Sequence, residues 1–189
     1  MSGGIIALIV IVVIVVLILL WAVAQYNGLV RLRNLVQEAW RQIDTELQRR
    51  HDLIPNLVET VKGYAAHERE VFEAVTQARA AAATSGAGPA AQAQSENALT
   101  QALGRLFAVA ENYPTLRASE NFQQLQAELA NTEDRIAAGR RFYNANVREL
   151  NTKVETFPSN LVAGMFNFTR AEYFEADDPQ VRQAPTVSF

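Results

Sequence analysis

From Ile5 to Ala24 every residue is apolar, and no polar position interrupts the run. About 20 such residues, rising roughly 1.5 Å each, match a hydrocarbon core of about 30 Å. A segment surrounded by lipid must satisfy its own backbone, so this one is expected to be a transmembrane helix, with Ile5, Leu20, Trp21 and Ala24 among its anchoring residues. Beyond it the pattern becomes helical and amphipathic. Val36, Trp40, Ile43 and Leu47 recur at three–four spacing, followed by Leu57, Val61, Tyr64, Val71 and Val75, and then by Leu99, Leu103, Leu106 and Ala110. The longest stripe is Phe122, Leu125, Leu129, Thr132, Ile136, Tyr143, Val147, Leu150 and Val154. No stretch alternates with period two for long enough to predict a strand. The expected fold is all-α: an N-terminal transmembrane helix, an elongated antiparallel bundle of about four helices with coiled-coil-like seams, and a short C-terminal helix.

Breakers divide this pattern into a tail at 1–4, a span at 5–25, a helical domain at 26–174 and an extended tail at 175–189. Asp52 is a good N-cap and would place Pro55 in a first turn, where proline loses no hydrogen bond. A turn near Arg50–Asp52 is therefore preferred, and a continuous helix kinked at Pro55 stands as the alternative. The small-residue run from Thr84 to Pro89 reads as a loop. It is no phosphate-binding loop, because no strand precedes it and no Gly-Lys-Ser/Thr follows. Asn112-Tyr113-Pro114 and Phe157-Pro158 each end a helix, since the residue before proline is pushed out of the helical region. Ser159–Phe168 forms a last short segment. Counting helix directions brings Phe157, Met165, Phe166, Phe168, Tyr173 and Phe174 near the bilayer surface. There they either cap the base of the bundle or touch lipid headgroups or a neighbouring protomer.

Tyr26, Asn27, Val30, Arg31 and Asn34 are echoed at identical spacing by Tyr143, Asn144, Val147, Arg148 and Asn151. In antiparallel neighbours, such polar residues within an apolar stripe would fix register, as a buried Asn does in coiled coils. Chance similarity between two helices of like composition is the competing reading.

Composition removes several function classes. A secretory signal needs a basic n-region and a shorter apolar core. Met1–Gly4 carries no charge, so an uncleaved anchor is expected. There is no cysteine for lipidation, disulfides or thiolate metal sites, and Ser2 replaces the glycine that myristoylation requires. A net charge of −3 with mixed signs gives no case for nucleic acid. The first basic residues, Arg31 and Arg33, follow the span, and the positive-inside bias favours a cytoplasmic domain over a periplasmic one. His51 and His67 fit no catalytic or metal motif. Glu-x-x-His fails at Gln48 and Tyr64, and H-E-x-x-H fails after His67-Glu68. His51 beside Arg49 and Arg50 is read as a cationic helix C-terminus, and Glu133-Asp134 as a solvated pair. No catalytic, metal-binding or cofactor-binding residue is assigned and no cofactor is expected.

The block Arg49-Arg50-His51-Asp52-Leu53-Ile54-Pro55-Asn56-Leu57-Val58 resembles the LemA family. So do Tyr26-Asn27, Arg33-Asn34, Ala39-Trp40, Ile43-Asp44, Glu59-Thr60-Val61-Lys62-Gly63-Tyr64-Ala65, His67-Glu68, Glu111-Asn112-Tyr113-Pro114, Asn121-Phe122, Leu125-Gln126, Thr132-Glu133 and Tyr143-Asn144. The resemblance implies a single-pass protein of a bacterial inner membrane, with a helical domain and no agreed catalytic residues. Two non-enzymatic functions follow as expectations. One is a self-associating scaffold that contacts lipids and further copies of itself and organises the membrane. The other is an adaptor holding another membrane protein, a protease or transporter, through its C-terminal Val187 and Phe189, which could add as a strand to a partner's edge.

Overall fold

The computed structural model describes residues 3–84, 86 and 88–175, and among these it contains helices and no strand. In chain order they are α1 (Gly3–Lys62), α2 (Arg69–Thr84), α3 (Pro89–Glu111), α4 (Pro114–Arg117), α5 (Glu120–Glu155) and α6 (Ser159–Met165). The all-α class is as the periodicity predicts, while two boundaries differ. There is no turn near Arg50–Asp52, because α1 runs unbroken through Pro55. The stripe that joined Val61 to Val71 is interrupted at Gly63–Glu68, where Tyr64 N–H bonds back to Val61 and Glu68 N–H to Ala65. Gly63 weakens the helix where its intrahelical bonds run out.

The chain forms two compact units. The first contains Met1–Trp40 and Phe142–Ala171, and the second Arg41–Arg141 and Glu172–Phe189. In the second unit α1 and α5 run antiparallel. Asn121 donates to the Thr60 hydroxyl (3.2 Å), Arg135 pairs with Glu46 (3.4 Å), and Gly139 lies opposite Ile43. A Cβ on Gly139 would come within 3.0 Å of Ile43 Cγ1, so glycine sets the close approach of the two helices. The core gathers Ile54, Leu57 and Val61 of α1, Phe72 and Val75 of α2, Leu99, Leu103 and Leu106 of α3, Leu116 of α4, and Phe122 and Leu129 of α5. Each such side chain contributes about 1.5–3 kcal/mol on burial. Between α2 and α3, Gly88 adopts φ 104° and ψ 172°, a conformation open to glycine alone, and Pro89 starts α3 where its missing N–H is harmless.

The first unit contains the apolar run of α1, whose side chains are all exposed from Ile5 to Leu20. Its buried residues begin at Leu29 and include Leu32, Val36 and Ala39, with Tyr143, Val147 and Leu150 of α5 and Val162, Ala163 and Phe168 at and beyond α6. Trp40 packs on Tyr143 with ring centroids 5.5 Å apart. Helix α6 ends in a Schellman motif. Phe168 N–H bonds to Ala163 O (2.9 Å), Asn167 N–H points to Gly164 O (3.4 Å), and Asn167 takes the left-handed φ of 56°. This reversal turns Phe168 inward. The chain is then held by Asn151, whose side-chain amide bonds both ways to the Ala171 backbone at 2.8 and 3.0 Å. Replacing Asn167 by Val, which tolerates the left-handed region poorly, is expected to cost about 1–2 kcal/mol, while Asn167→Gly stays near neutral. Chemical denaturation of the full-length protein followed by circular dichroism measures both.

Candidate functional site

A proline inside a helix has no N–H to offer the carbonyl four residues earlier. For Pro55 that carbonyl belongs to His51, and Arg79 of α2 supplies the missing donor, with Nε 2.8 Å from His51 O. The same turn of α1 carries two polar side chains inward. Arg50 is only 2% exposed; its guanidinium donates to Glu96 Oε2 (2.8 Å) and to the Thr100 hydroxyl (2.7 Å), both on α3. His51 Nε2 lies 2.9 Å from Glu96 Oε1, so an ionised Glu96 assigns the proton to that nitrogen. Gln92 donates to Glu96 Oε1 (2.9 Å) and to the Ala82 carbonyl of α2 (3.0 Å). From α5, Glu133 Oε1 approaches Arg50 Nε to 2.8 Å, but the N–H is not aligned for a hydrogen bond. One cluster therefore links all four long helices of the second unit.

The two carboxyls respond to this setting in opposite ways. Burial pushes Glu96 up, but the His51 hydrogen bond and charge, the Arg50 charge and the Gln92 amide together hold it below the usual carboxylate range. Burial pushes Glu133 up as well; Arg50 pulls it down, Glu96 repels it, and its proton is held more tightly than usual. A groove of about 350 Å³ opens beside Arg50 and Glu133, lined mainly by Leu103, Phe107, Leu129 and Ala130. A second, of about 220 Å³, lies beside His51 and Gln92. The Thr100 hydroxyl is held between Arg50 and the Glu96 carbonyl, and His51 Nε2 is tied to Glu96, so neither is poised as nucleophile or free base. No three metal-ligating side chains converge among the described residues.

The first unit presents a different surface. Beyond the span, the exposed large hydrophobic residues among those described are Tyr26, Tyr64, Phe142, Phe157, Leu161, Met165 and Phe166, and all but Tyr64 belong to it. Phe157 and Met165 are 78% and 75% exposed. Tyr26, two residues past the apolar run, packs its ring 4.7 Å from Phe166 and 5.9 Å from Phe168, and the Arg33 guanidinium sits 5.1 Å over the Phe168 ring.

The LemA family model matches residues 39–189. The chain belongs to the LemA family. It is 30% identical over 176 residues to magnetosome proteins MamQ 1 and MamQ 2 of Paramagnetospirillum magneticum (strain AMB-1), a match covering 80% of this chain and 65% of each relative. It is 28% identical over 156 residues to protein LemA of Metamycoplasma hominis, covering 82% of this chain and 71% of that one. The chain thus spans just under two thirds of the length of the MamQ relatives.

In this LemA-family chain the sequence-predicted residues separate. Of the echoed set, Tyr143, Asn144 and Asn151 are buried, whereas Tyr26, Asn27, Arg31, Asn34 and Arg148 are exposed. Asn151 bonds to Ala171 and Tyr26 packs on Phe166, so the two echoes occupy unlike surroundings. Of the residues expected at the base, Phe157, Met165 and Phe166 are exposed, Phe168 and Phe174 are buried, and Tyr173 is half-buried. Tyr173 and Phe174 belong to the second unit. Val187 and Phe189 lie outside the described residues. Arg50 and His51 are not an exposed helix terminus but the interior of α1, because the helix continues past them. Glu133 is half-buried against Arg50 and only Asp134 is exposed. Asp52 caps nothing; it is exposed on α1 and accepts a bond from Gln48. The polar cluster had a faint signal in Arg50-His51 falling on the apolar face of the α1 stripe, three and four residues from Leu47.

Arg79→Met leaves the His51 carbonyl unanswered and is expected to cost about 1–3 kcal/mol. Pro55→Ala restores an intrahelical donor, so the same substitution in that background should cost less; a double-mutant cycle with additive effects would refute the compensation. Glu96→Gln should cost up to about 3–5 kcal/mol, since it leaves the buried Arg50 charge with only the poorly aligned Glu133 carboxyl facing it. Because Glu96 is depressed in the fold, its stabilisation is present above the ordinary value of 4.5 and lost as pH falls through the folded value. Glu133 has the opposite sign: its contribution is present at low pH and lost as pH rises through its raised value. Denaturation midpoints across the acid range should therefore lose their acid-side slope in Glu96→Gln and keep it in Glu133→Gln.

Proposed function

We propose that the protein is a membrane-anchored, non-catalytic scaffold whose copies associate through their helical domains and organise or shape the bilayer that α1 enters. The observation that carries this reading is the division of labour among its side chains. The buried ionisable groups of the second unit are engaged with one another across four helices, which suits a rigid body better than a reaction centre. Outside the span, six of the seven exposed large hydrophobic side chains among the described residues belong to the unit that contains it. Similarity to proteins named for the magnetosome supports a membrane-organising role over a soluble one. Arg31 and Arg33 support a cytoplasmic side for the helical domain.

The test is the native mass of the full-length protein extracted in mild detergent. The expected result is a discrete assembly of many copies formed without any other protein, with added protein altering the curvature or size of vesicles. A monomer or dimer that leaves vesicles unchanged overturns the proposal.

A further inference from the structure

We propose that α6 and its flanks form a second membrane contact: Phe157, Leu161, Met165 and Phe166 sit in the headgroup region of the phospholipid leaflet from which α1 emerges. This rests on the reading that the apolar part of α1 spans the bilayer, and it names lipid as the occupant of the exposed surface described above.

Position comes first. Tyr26 follows Ala24 by two residues, which is about 3 Å of helix rise. Its ring touches Phe166 at 4.7 Å, so Phe166 lies at the level where α1 leaves the hydrocarbon, and the apolar surface of α6 continues that of the span. Amphipathicity comes second. Leu161 and Met165 are one helical turn apart and exposed at 58% and 75%, while Ser159, Val162 and Ala163 face inward. Gly164 is the other exposed residue between them. The exposed positions of α6 thus carry no polar side chain, and its one polar residue near this face, Asn160, is half-buried, the reverse of what water-facing helices show. Charge comes third. From Thr156 to Thr169 there is no ionisable residue; Glu155 and Arg170, which bound the stretch, pair with one another at 2.9 Å, and Arg31 and Arg33 of α1 are exposed. The first unit carries five basic against three acidic residues, although the whole chain is negative. An uncharged apolar face beside exposed arginines, here Arg31 and Arg33 of α1, fits a helix lying in an interface with anionic headgroups. Continuity with the lipid-facing surface of α1 favours lipid over a second copy as the occupant.

The chain has no cysteine, so single-cysteine variants can be spin-labelled cleanly. Leu161→Cys, Met165→Cys and, as an aqueous reference, Tyr64→Cys are prepared in the full-length protein and reconstituted into vesicles of phosphatidylcholine and phosphatidylglycerol. Leu17→Cys reports on the span in the same vesicles. Labels at 161 and 165 should collide with oxygen several-fold more often, relative to a water-soluble nickel chelate, than the label at 64. Nickel accessibility at 161 and 165 equal to that at 64 overturns the proposal. So does protection from both reagents, which would mean that protein covers the face. In either case a lipid-like signal at Leu17 leaves the anchor and the scaffold reading standing, whereas an aqueous signal at Leu17 removes the anchor as well.

Discussion

A guanidinium at 2% exposure must be answered on every side, and Arg50 sets that requirement at the centre of the second unit. Its charge fixes where Glu96 lies on α3, and Glu96 in turn fixes His51 and Gln92. Gln92 and Arg79 then hold α2, through the Ala82 and His51 carbonyls. Apolar side chains alone specify register less sharply, because cores tolerate repacking as long as total volume and pattern are kept. A buried ion pair with further hydrogen bonds favours the register that keeps it paired. Whether such a pair adds net stability over an apolar replacement is a separate matter, since desolvation offsets much of the attraction. Its contribution is to make every alternative packing leave a charge unpaired.

Pro55 belongs to the same logic. A helix-interior proline costs about 3 kcal/mol in isolation. Here the orphaned carbonyl faces an arginine on α2, so α1 can remain unbroken only where α2 packs. The proline thereby links a local defect to a tertiary contact.

The helical class was legible because the stripes are long. The residues predicted to be inward on α5, from Phe122 through Thr132 to Leu150, are nearly all buried. Even Thr132 conforms, its hydroxyl returning a bond to the Glu128 carbonyl. The course of α1 was not legible, because the donor that rescues Pro55 lies on another helix and no local rule can see it. The same blindness applied to Arg50 and His51: adjacent cations read as a solvated helix end until a carboxylate distant in sequence is placed beside them. The Tyr-Asn-Val-Arg-Asn echo is a real identity of residues, yet burial follows what each copy meets. Asn151 meets the backbone of Ala171, while Asn34 meets solvent. Direction counting gathered Phe166 and Phe168 at one end of the helices, and both rings meet Tyr26 there. It could not separate Phe166 from Phe168, because that depends on Asn167 adopting a left-handed conformation.

The charge distribution constrains how any assembly could form. The second unit carries twelve basic and seventeen acidic residues, so copies standing free in solution would repel one another through it. At physiological ionic strength that repulsion fades beyond about 8 Å, and it weakens association without forbidding it. Confinement to a membrane changes the balance, because tethering two copies to one surface raises their effective concentration without any new contact. Tethering therefore favours assembly within the membrane, and the side-to-side contacts formed there are those that mild extraction is expected to preserve. An anchor fused to an acidic bundle with a buried ion-pair cluster is consistent with a body that the membrane gathers before its faces bind one another.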